Sequence, residues 1–252
     1  MQAAAKEVVF LGSKPVGAAC FEILLRNATA LGYRVVAVGT QARKEFFEEQ
    51  SVTALALREG LPLLDNDDAI PPCDLIISVQ HHHILSAATL AKARQAAINL
   101  HMAPLPEYRG TNQFSYAIME GRTEFGTTLH LMDARIDHGD ILFQRRFPIP
   151  KECWIADLYD LTVHYSVAMF EACLPSLIRG DYEPLPQRHA PGAEGSTLHY
   201  RDEINELKNI PAGLDAAAFS RRLRATAMPG FEPPYSIIAG RKVYYTLKND
   251  EA

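Results

Sequence analysis

The sequence predicts an α/β fold in which helices cover both faces of a mostly parallel, Rossmann-like sheet. Short apolar runs such as residues 7–12 and 74–79 alternate with segments of helical periodicity. The runs are apolar at nearly every position, which is typical of strands that are buried on both faces. Glycine or polar residues follow them directly, so we expect the functional site at the carboxyl ends of the strands.

The first hundred residues supply these elements in chain order. The expected elements are a strand over 7–12, a helix over 16–26, a strand over 34–39, a helix over 44–59, a strand over 74–79, a helix over 87–94 and a strand over 96–100. Pro62 follows the second helical segment and stops it, because the proline ring blocks a continuing helix. This alternation favours parallel pairing of the strands.

The sequence changes character after residue 180. Residues 180–195 are rich in proline and glycine, which predicts a linker or a long loop. Beyond it we expect a helix over 215–224 and a β-hairpin over 236–245 that turns at Ala239-Gly240. The sequence therefore predicts a large domain over 1–185 and a small helix and hairpin subdomain over 196–252.

Composition and charge disfavour several classes of protein. The net charge of −5 argues against a chain whose main partner is a nucleic-acid backbone. No apolar run reaches the length of a bilayer span, and residues 1–10 lack the regions of a signal peptide. The four cysteines are scattered without a C-x-x-C pair, which is typical of reduced thiols. We therefore expect a cytoplasmic protein with no nucleic-acid partner and no membrane insertion.

The most informative motif is the pair Asn99 and His101 at the end of the last expected strand. Residues i and i+2 of a strand lie on one face, so the amide and the imidazole are adjacent. Such a pair can hold an oxyanion and move a proton, and a carboxylate such as that of Asp137 can orient the imidazole. As an isolated pattern, N-x-H is more typical of a strand cap beside a buried histidine.

Further motifs surround this pair. The chain has N-x-H at Asn99–His101, a Leu-Pro loop followed by Arg109-Gly110, and D-x-G at Asp137–Gly139. This pattern resembles the folate-dependent formyltransferase family. The segments 100–110 and 135–140 look most like the bacterial sugar-nucleotide N-formyltransferases of O-antigen and polysaccharide synthesis.

The resemblance implies transfer of a formyl group from N10-formyltetrahydrofolate to the amine of a nucleotide-linked aminodideoxy sugar. We expect dTDP-4-amino-4,6-dideoxyglucose as the acceptor, while 3-amino dTDP-sugars and GDP-perosamine stay open. The resemblance also implies the formyltransferase fold and a homodimer that forms through the C-terminal hairpin. It implies no metal in the reaction.

The resemblance also assigns roles to residues at matching positions. Asn99 donates to the tetrahedral oxyanion, His101 assists the oxyanion and the proton transfers, and Asp137 favours the useful state of the imidazole. The expected folate contacts are His83, Leu85, Met102, Asp133 and Ile136. The expected contacts of the sugar nucleotide are Ser13, Lys14, Gln80, His81, Arg109 and Asn112.

A glycine-containing turn over 12–17 lies between the first strand and its helix. Free N–H groups at a helix N-terminus bind anions, and Ser13 and Lys14 add a hydroxyl donor and a positive charge. A plain βα turn is the alternative, because the segment matches neither a dinucleotide fingerprint nor a P-loop. The resemblance places a substrate phosphate at this turn, so Lys14 is expected to contact a diphosphate.

Arg109 and Asn112 precede a helix that is expected over 113–120. Arg109 has two interpretations, a solvated surface charge or a residue that sets the position of a ligand. The resemblance favours the second, because it places this loop against the reacting amine and the folate.

Three consecutive histidines, residues 81–83, suggest a metal-binding site. Adjacent extended residues point to opposite sides, and no carboxylate or cysteine lies at ligand spacing beside them in the sequence. We therefore expect no metal here. A solvated polar loop is one alternative, and the resemblance gives another, in which the loop lines the pocket between the folate and the amine substrate.

Three other functions need to be distinguished. Methionyl-tRNA formyltransferases share the catalytic core but usually add a sizeable C-terminal domain, and the acidic chain disfavours tRNA. A glycinamide ribonucleotide formyltransferase normally ends near residue 200. A non-catalytic sensor of nucleotide sugars has no need of Asn99, His101 and Asp137 together.

Overall fold

The computed structural model describes residues 4–40 and 51–246 and contains a central sheet of six strands. The sheet order is β2-β1-β3-β4-β6-β7. The strands in chain order are β1 (Lys6–Gly12), β2 (Tyr33–Gly39), β3 (Cys73–Val79), β4 (Ala93–His101), β5 (Tyr108–Gly110), β6 (Glu124–Leu131), β7 (Ile141–Pro148), β8 (Thr197–His199), β9 (Tyr235–Ile238) and β10 (Arg241–Tyr244).

The helices connect and cover these strands. They are α1 (Lys14–Leu31), α2 (Val52–Arg58), α3 (Ala87–Leu90), α4 (Gln113–Met119), α5 (Ile155–Arg179), α6 (Ile204–Lys208) and α7 (Ala216–Thr226). Strands β1 to β4 pair in parallel, whereas β6 and β7 are antiparallel. The predicted mostly parallel α/β fold is therefore confirmed.

The carboxyl ends of the three central parallel strands are level with one another. Gly12 of β1 lies opposite Val79 of β3, and Val79 lies opposite Leu100 of β4. Neighbouring strands are about 4.8 Å apart, so the ends of β1 and β4 are about 10 Å apart across the sheet. Loops that leave these strands consequently meet at one edge.

Both faces of the sheet are buried, as the apolar runs predict. Val8 and Phe10 belong to a core that includes residues of α1, α2 and α5, while Val9 and Leu11 face the opposite side. This alternation follows from the two-residue period of a strand. The second face is covered by side chains from the segments before and after β3, namely Leu64, Ile70, Leu85 and Leu90.

Helix α5 is long and apolar enough to cross a membrane by length and composition alone. No such segment was predicted from the sequence. Its side chains Phe170, Leu174 and Leu177 are fully covered and belong to the main core. The apolar character of α5 is therefore explained by its position in the core, where it packs against α1 and the sheet.

Several elements differ from the sequence predictions. The helix expected over 87–94 is wrong at its end, because α3 stops at Leu90 and β4 already begins at Ala93. Strands β6 and β7 and helix α5 were not predicted. Part of the helix expected over 44–59 lies outside the described residues, and α2 forms its last part.

Residues 180–195 form a long loop that contacts the sheet, which favours the long-loop alternative over a linker. Leu185 and Ile141 exchange two backbone hydrogen bonds of 2.8 and 2.9 Å. Beyond this loop, β8 pairs in parallel with β5, and Ala225 of α7 packs against the cluster around α4 and α5. The chain after residue 195 therefore contacts the first part at several places, and the division into two domains stays a prediction.

The predicted C-terminal hairpin is present as β9 and β10. Ala239 and Gly240 connect its strands with φ angles of +49° and +76°. Two positive φ angles are typical of the two-residue type I′ turn, whose twist matches that of a hairpin.

Candidate active site

Asn99 and His101 lie together on one face at the carboxyl end of β4, as predicted. Asp137 reaches them from the loop between β6 and β7. Its Oδ2 is 3.4 Å from His101 Nδ1, and its Oδ1 is 3.5 Å from Asn99 Nδ2. His130 of β6 completes the group, with Nε2 3.1 Å from Asn99 Nδ2. We call Asn99, His101, His130 and Asp137 the buried cluster.

The D-x-G motif has a steric explanation. A Cβ atom at Gly139 would lie 1.9 Å from the Leu131 carbonyl oxygen, so only glycine permits this approach of the loop to β6. Asp137 itself has a φ of +45°, an unfavourable conformation for a residue with a side chain. Strained backbone of this kind is common at functional sites.

Gly110, the glycine of the Arg-Gly pair in the motif pattern, also has a structural role. Its N–H donates a 2.9 Å hydrogen bond to Asp137 Oδ2. A Cβ atom at Gly110 would lie 2.2 Å from the His199 carbonyl oxygen, and its φ is +82°. Glycine is therefore needed where β8 pairs with β5, and that pairing aims the Gly110 N–H at the carboxylate.

Backbone carbonyls fix the orientation of both imidazoles in the buried cluster. His101 Nε2 donates to the Tyr108 carbonyl at 2.7 Å, and His130 Nδ1 donates to the Leu131 carbonyl at 2.7 Å. Because a carbonyl only accepts, these ring nitrogens carry the hydrogens. In the neutral rings, Nδ1 of His101 and Nε2 of His130 are then the acceptor atoms that face the cluster.

Burial and neighbouring groups set the protonation states. Burial raises the pKa of Asp137, but the imidazoles of His101 and His130 and the Gly110 N–H outweigh it and hold this pKa well below its usual range. Burial lowers the pKa of His101, and the Asp137 carboxylate opposes this only in part. At neutral pH the free protein therefore holds an ionised carboxylate beside a neutral imidazole.

The buried cluster combines a donor, a base and a charge. At 3.5 Å, the contact from Asn99 Nδ2 to Asp137 is at the limit of a hydrogen bond, so this N–H can turn towards an oxyanion. Neutral His101 can take a proton at Nδ1, and Asp137 then stabilises the imidazolium. These functions suit the transfer of an acyl group to an amine.

Two residues of this site were missed from the sequence. His130 lies directly opposite Asn99 in the register of β6 and β4. A prediction of β6 as a strand would therefore have been needed to find it. Gln187 lies in the expected linker, where no sequence signal marks it. Its Nε2 donates to the carbonyls of Asp137 and Gly139, each at 2.8 Å.

Gln187 also connects this loop to a predicted substrate residue. Arg109 Nε donates to Gln187 Oε1 at 3.0 Å, and Gln187 is almost fully buried. The carboxamide therefore holds the strained Asp137 segment and the Arg109 side chain at the same time. Asn112 Nδ2 donates to the Tyr200 carbonyl at 2.8 Å, which fixes the neighbouring turn.

The turn between β1 and α1 brings three of the predicted substrate residues together. Lys14 Nζ donates to Gln80 Oε1 at 2.8 Å, and Ser13 Oγ donates to the Gln80 carbonyl at 2.7 Å. Ser13 Oγ also lies 3.0 Å from His82 Nε2. Lys14 and Gln80 have φ angles of +62° and +55°, so both sides of this contact are held in strained backbone.

His81 and His83 turn away from this group and contact Asp67. Asp67 Oδ1 lies 2.9 Å from His81 Nε2, and Asp67 Oδ2 lies 3.0 Å from His83 Nδ1. We call these three residues the loop cluster. The expected alternation is present, but the fold supplies a carboxylate that sequence spacing does not show. Burial lowers the pKa of His81, while Asp67 opposes the shift.

The predicted folate contacts divide into buried and accessible residues. Leu85 and Met102 pack in the apolar core and are almost fully covered. The structure gives these two residues a packing role. Asp133 accepts from the Arg135 N–H and contacts His138, and Ile136 precedes Asp137 in the same half-exposed loop. Contacts of a folate with this loop stay a prediction.

Sequence comparison connects the chain to formyltransferases. The family profile described as Formyl transferase matches residues 43–171. A methionyl-tRNA formyltransferase of Geobacillus thermodenitrificans is 31% identical over 195 residues, which are 71% of this chain and 60% of that protein. One of Levilactobacillus brevis is 27% identical over 234 residues, covering 86% of this chain and 71% of that protein. The chain spans about 60% of the length of the first curated relatives it matches.

Structural comparison shows the same fold in sugar N-formyltransferases. A 4-N formyltransferase from Francisella tularensis superimposes with a TM-score of 0.80 and 19% identity, covering 98% of each chain. WlaRD, a sugar 3N-formyl transferase solved in the presence of dTDP and 5-N-formyl-THF, gives a TM-score of 0.76 and 22% identity. That match covers 96% of this chain and 85% of the other.

Proposed function

The chain belongs to the formyl transferase family. We propose that it transfers a formyl group from N10-formyltetrahydrofolate to the amine of a nucleotide-linked aminodideoxy sugar. The observation that carries the proposal is the buried cluster at the carboxyl end of β4, where an amide donor, a neutral imidazole and an ionised carboxylate meet. Binding alone does not require this combination.

In the proposed reaction, a bond forms between the amine nitrogen and the formyl carbon, and the bond from that carbon to N10 breaks. Asn99 Nδ2 donates to the oxyanion that develops on the formyl oxygen. His101 Nδ1 takes a proton of the amine, and Asp137 stabilises the resulting imidazolium. His101 then returns this proton to the N10 leaving group, directly or through water, so tetrahydrofolate and the formamide are released.

The turn between β1 and α1 supports a phosphorylated acceptor. Lys14 contributes a positive charge at the N-terminus of an 18-residue helix, where free N–H groups favour anions. The end of β1 lies about 10 Å from the end of β4, two strand spacings across the sheet. A diphosphate at Lys14 and an amine at the buried cluster therefore belong to opposite ends of one extended substrate.

For the sugar we propose dTDP-4-amino-4,6-dideoxyglucose, with the 3-amino dTDP-sugars and GDP-perosamine as alternatives. The support is the whole-length likeness to a 4-N formyltransferase and the resemblance of segments 100–110 and 135–140. Such a product suits O-antigen or polysaccharide synthesis in the cytoplasm. We also propose a homodimer through the β9–β10 hairpin, where Ile237, Ile238 and Val243 are exposed.

Formylation of methionyl-tRNA is the second candidate. The curated sequence relatives favour it, because the first eight are all methionyl-tRNA formyltransferases. The net charge of −5 disfavours a tRNA partner, since binding to a phosphate backbone depends on clustered positive charge.

One competition experiment tests the proposal. The full chain is incubated with N10-formyltetrahydrofolate and equal amounts of the 4-amino and 3-amino dTDP-sugars, GDP-perosamine and methionyl-tRNA, and products are identified by mass spectrometry. We expect the mass of one formyl group on a nucleotide sugar, first on the 4-amino dTDP-sugar. Formylation of methionyl-tRNA alone would contradict the proposal, and absence of any formyl product would support the sensor alternative.

A further inference from the structure

The loop cluster joins two segments that are distant in the sequence. Asp67 begins a short 3-10 helix over Asp67–Ala69, and His81 and His83 lie in the loop that follows β3. One carboxylate contacts both rings, at 2.9 Å from His81 and 3.0 Å from His83. The rings are perpendicular, with centroids 5.4 Å apart.

This arrangement has the dimensions of a metal-binding site. One nitrogen or oxygen ligand atom from each residue lies within 4.8 Å of those from the other two. Zinc bonds of about 2.0–2.2 Å to imidazole and carboxylate place tetrahedral ligand atoms about 3.4 Å apart. The two contacts of Asp67, 2.9 Å from Oδ1 and 3.0 Å from Oδ2, are somewhat shorter than that separation, so the side chains move apart to admit an ion.

The chemistry of the three residues favours a borderline transition metal. Two imidazoles and one carboxylate suit zinc and its neighbours better than magnesium or calcium, which prefer oxygen ligands. His81 is 7% exposed and Asp67 is 21% exposed, so two ligands are held in place by surrounding protein. His83 is 53% exposed, so water can reach the remaining coordination positions of an ion held by the three residues.

We propose that Asp67, His81 and His83 bind one divalent ion of the zinc class. The ion takes the place of the hydrogens between the rings and the carboxylate, and each neutral ring then carries its hydrogen on its other nitrogen. The ion thereby links the 67–69 turn to the loop after β3. It is not required for the chemistry at the buried cluster, because His101 and His130 already bond to backbone carbonyls and surround a different carboxylate. The role of the ion is to hold the 81–83 loop.

The alternative is a hydrogen-bonded network that binds no ion. Both arrangements give the same contacts in an ion-free structure, so the difference lies in affinity and stoichiometry. Metal binding needs all three residues, whereas incidental binding to surface histidines does not depend on Asp67. His138, whose Nδ1 lies 3.2 Å from Asp133 Oδ2, offers a matched control with one histidine and one aspartate.

The test uses the full chain without a histidine tag, freed of metal by chelation and dialysis. Zinc is titrated against a chromophoric competitor, and cobalt(II) is added separately to follow ligand-field absorption. We expect one ion per chain. Asp67→Asn and His83→Ala should each weaken zinc binding at least about 10- to 100-fold. Loss of a residue that only hydrogen-bonds to a metal ligand already has an effect of that size. His138→Ala should bind as the wild type does.

Thermal unfolding supplies an independent readout. A ligand that binds the folded state raises its stability, so zinc should raise the unfolding midpoint of the wild type and of His138→Ala. At the same zinc concentration it should raise the midpoint of His83→Ala by much less. Because His83 is exposed, its replacement should not itself disturb the fold. Absence of stoichiometric binding to the wild type, or equal affinity in Asp67→Asn and His83→Ala, would overturn the proposal.

Discussion

The buried cluster and the loop cluster use the same side chains in different surroundings. Each contains two histidines around one aspartate. The exposed side-chain fractions are 6% for His101, 2% for His130 and 15% for Asp137 in the buried cluster, against 7% for His81, 53% for His83 and 21% for Asp67 in the loop cluster. The main difference is the one exposed imidazole of the loop cluster, that of His83.

Backbone contacts explain why this difference changes the chemistry. In the buried cluster, the Tyr108 and Leu131 carbonyls hold one nitrogen of each ring, and the Gly110 N–H holds the carboxylate. The acceptor nitrogens are therefore fixed in direction, which suits proton transfer. In the loop cluster, the two oxygens of one carboxylate each contact one ring nitrogen, which suits the binding of an ion.

The largest expected effect is the loss of formyl transfer when a ring or an amide of the buried cluster is removed. His101→Ala and Asn99→Ala should each lower kcat about a hundredfold or more, because an acid–base group or an oxyanion donor contributes on that scale. Turnover is measured as tetrahydrofolate release, with circular dichroism to verify the fold. Near-normal turnover in both variants would favour the sensor alternative.

The next effect concerns the diphosphate. Lys14→Ala should raise the KM for the nucleotide sugar about ten- to a hundredfold and leave that for the folate nearly unchanged, because a charge-assisted hydrogen bond is lost. Steady-state kinetics with each substrate varied in turn separate the two constants. An unchanged KM for the nucleotide sugar would move the diphosphate site away from this turn, and equal weakening of both substrates would indicate a general disturbance of the sheet edge.

A smaller effect should follow at Gln187, which we interpret as a positioning residue. Gln187→Met keeps the size of the side chain but removes the hydrogen bonds to the Asp137 and Gly139 carbonyls. Because misplacement of a catalytic group lowers the rate of the chemical step, kcat should fall about tenfold. Gln144 also donates to a backbone carbonyl, that of Leu105 at 2.7 Å, and Gln144→Met provides the control. An equal fall in kcat in both variants would contradict a positioning role for Gln187.

The smallest expected effect is that of chelation on turnover. The ion proposed at the loop cluster only holds the 81–83 loop in place. Removal of metal should therefore leave kcat within about twofold at saturating substrates, because no step of the proposed chemistry uses a Lewis acid. The rate is compared before and after dialysis against a chelator, with zinc added back to one portion. A loss of activity that zinc restores would show that the two clusters are not independent.

Sequence reasoning succeeded where local pattern decides the structure. The apolar runs around Val9 and Ile76 predicted buried parallel strands, and N-x-H predicted that Asn99 and His101 share a face. Four of the six non-glycine residues with positive φ in the described structure are predicted site residues: Lys14, Gln80, Asn112 and Asp137. Strained backbone is common at functional sites, so its coincidence with these predicted residues supports the predicted location of the site.

Contacts between distant segments could not be predicted in this way. Asp67 lies 14 residues before His81 and meets it only in the folded chain. Gln187 reaches Asp137 across 50 residues from a loop whose composition resembled a linker. His130 was missed because β6, with threonine and histidine among its apolar residues, did not give a recognisable strand pattern. In each case, tertiary pairing decides the contact.

The most direct test of the account compares Asp137→Asn with Asp140→Asn in a single-turnover measurement of formyl transfer. Asp137→Asn removes the charge beside His101 while keeping the size of the side chain, and Asp140→Asn makes the same change three residues away. The folded-state pKa of Asp137 lies below its usual range, so its ionised form stabilises the fold at pH 7, and thermal unfolding has to confirm that Asp137→Asn is folded in the assay. We predict that Asp137→Asn slows the chemical step about a hundredfold or more while Asp140→Asn stays near the wild-type rate. Equal rates for the two folded variants would contradict the assignment of formyl transfer to the buried cluster.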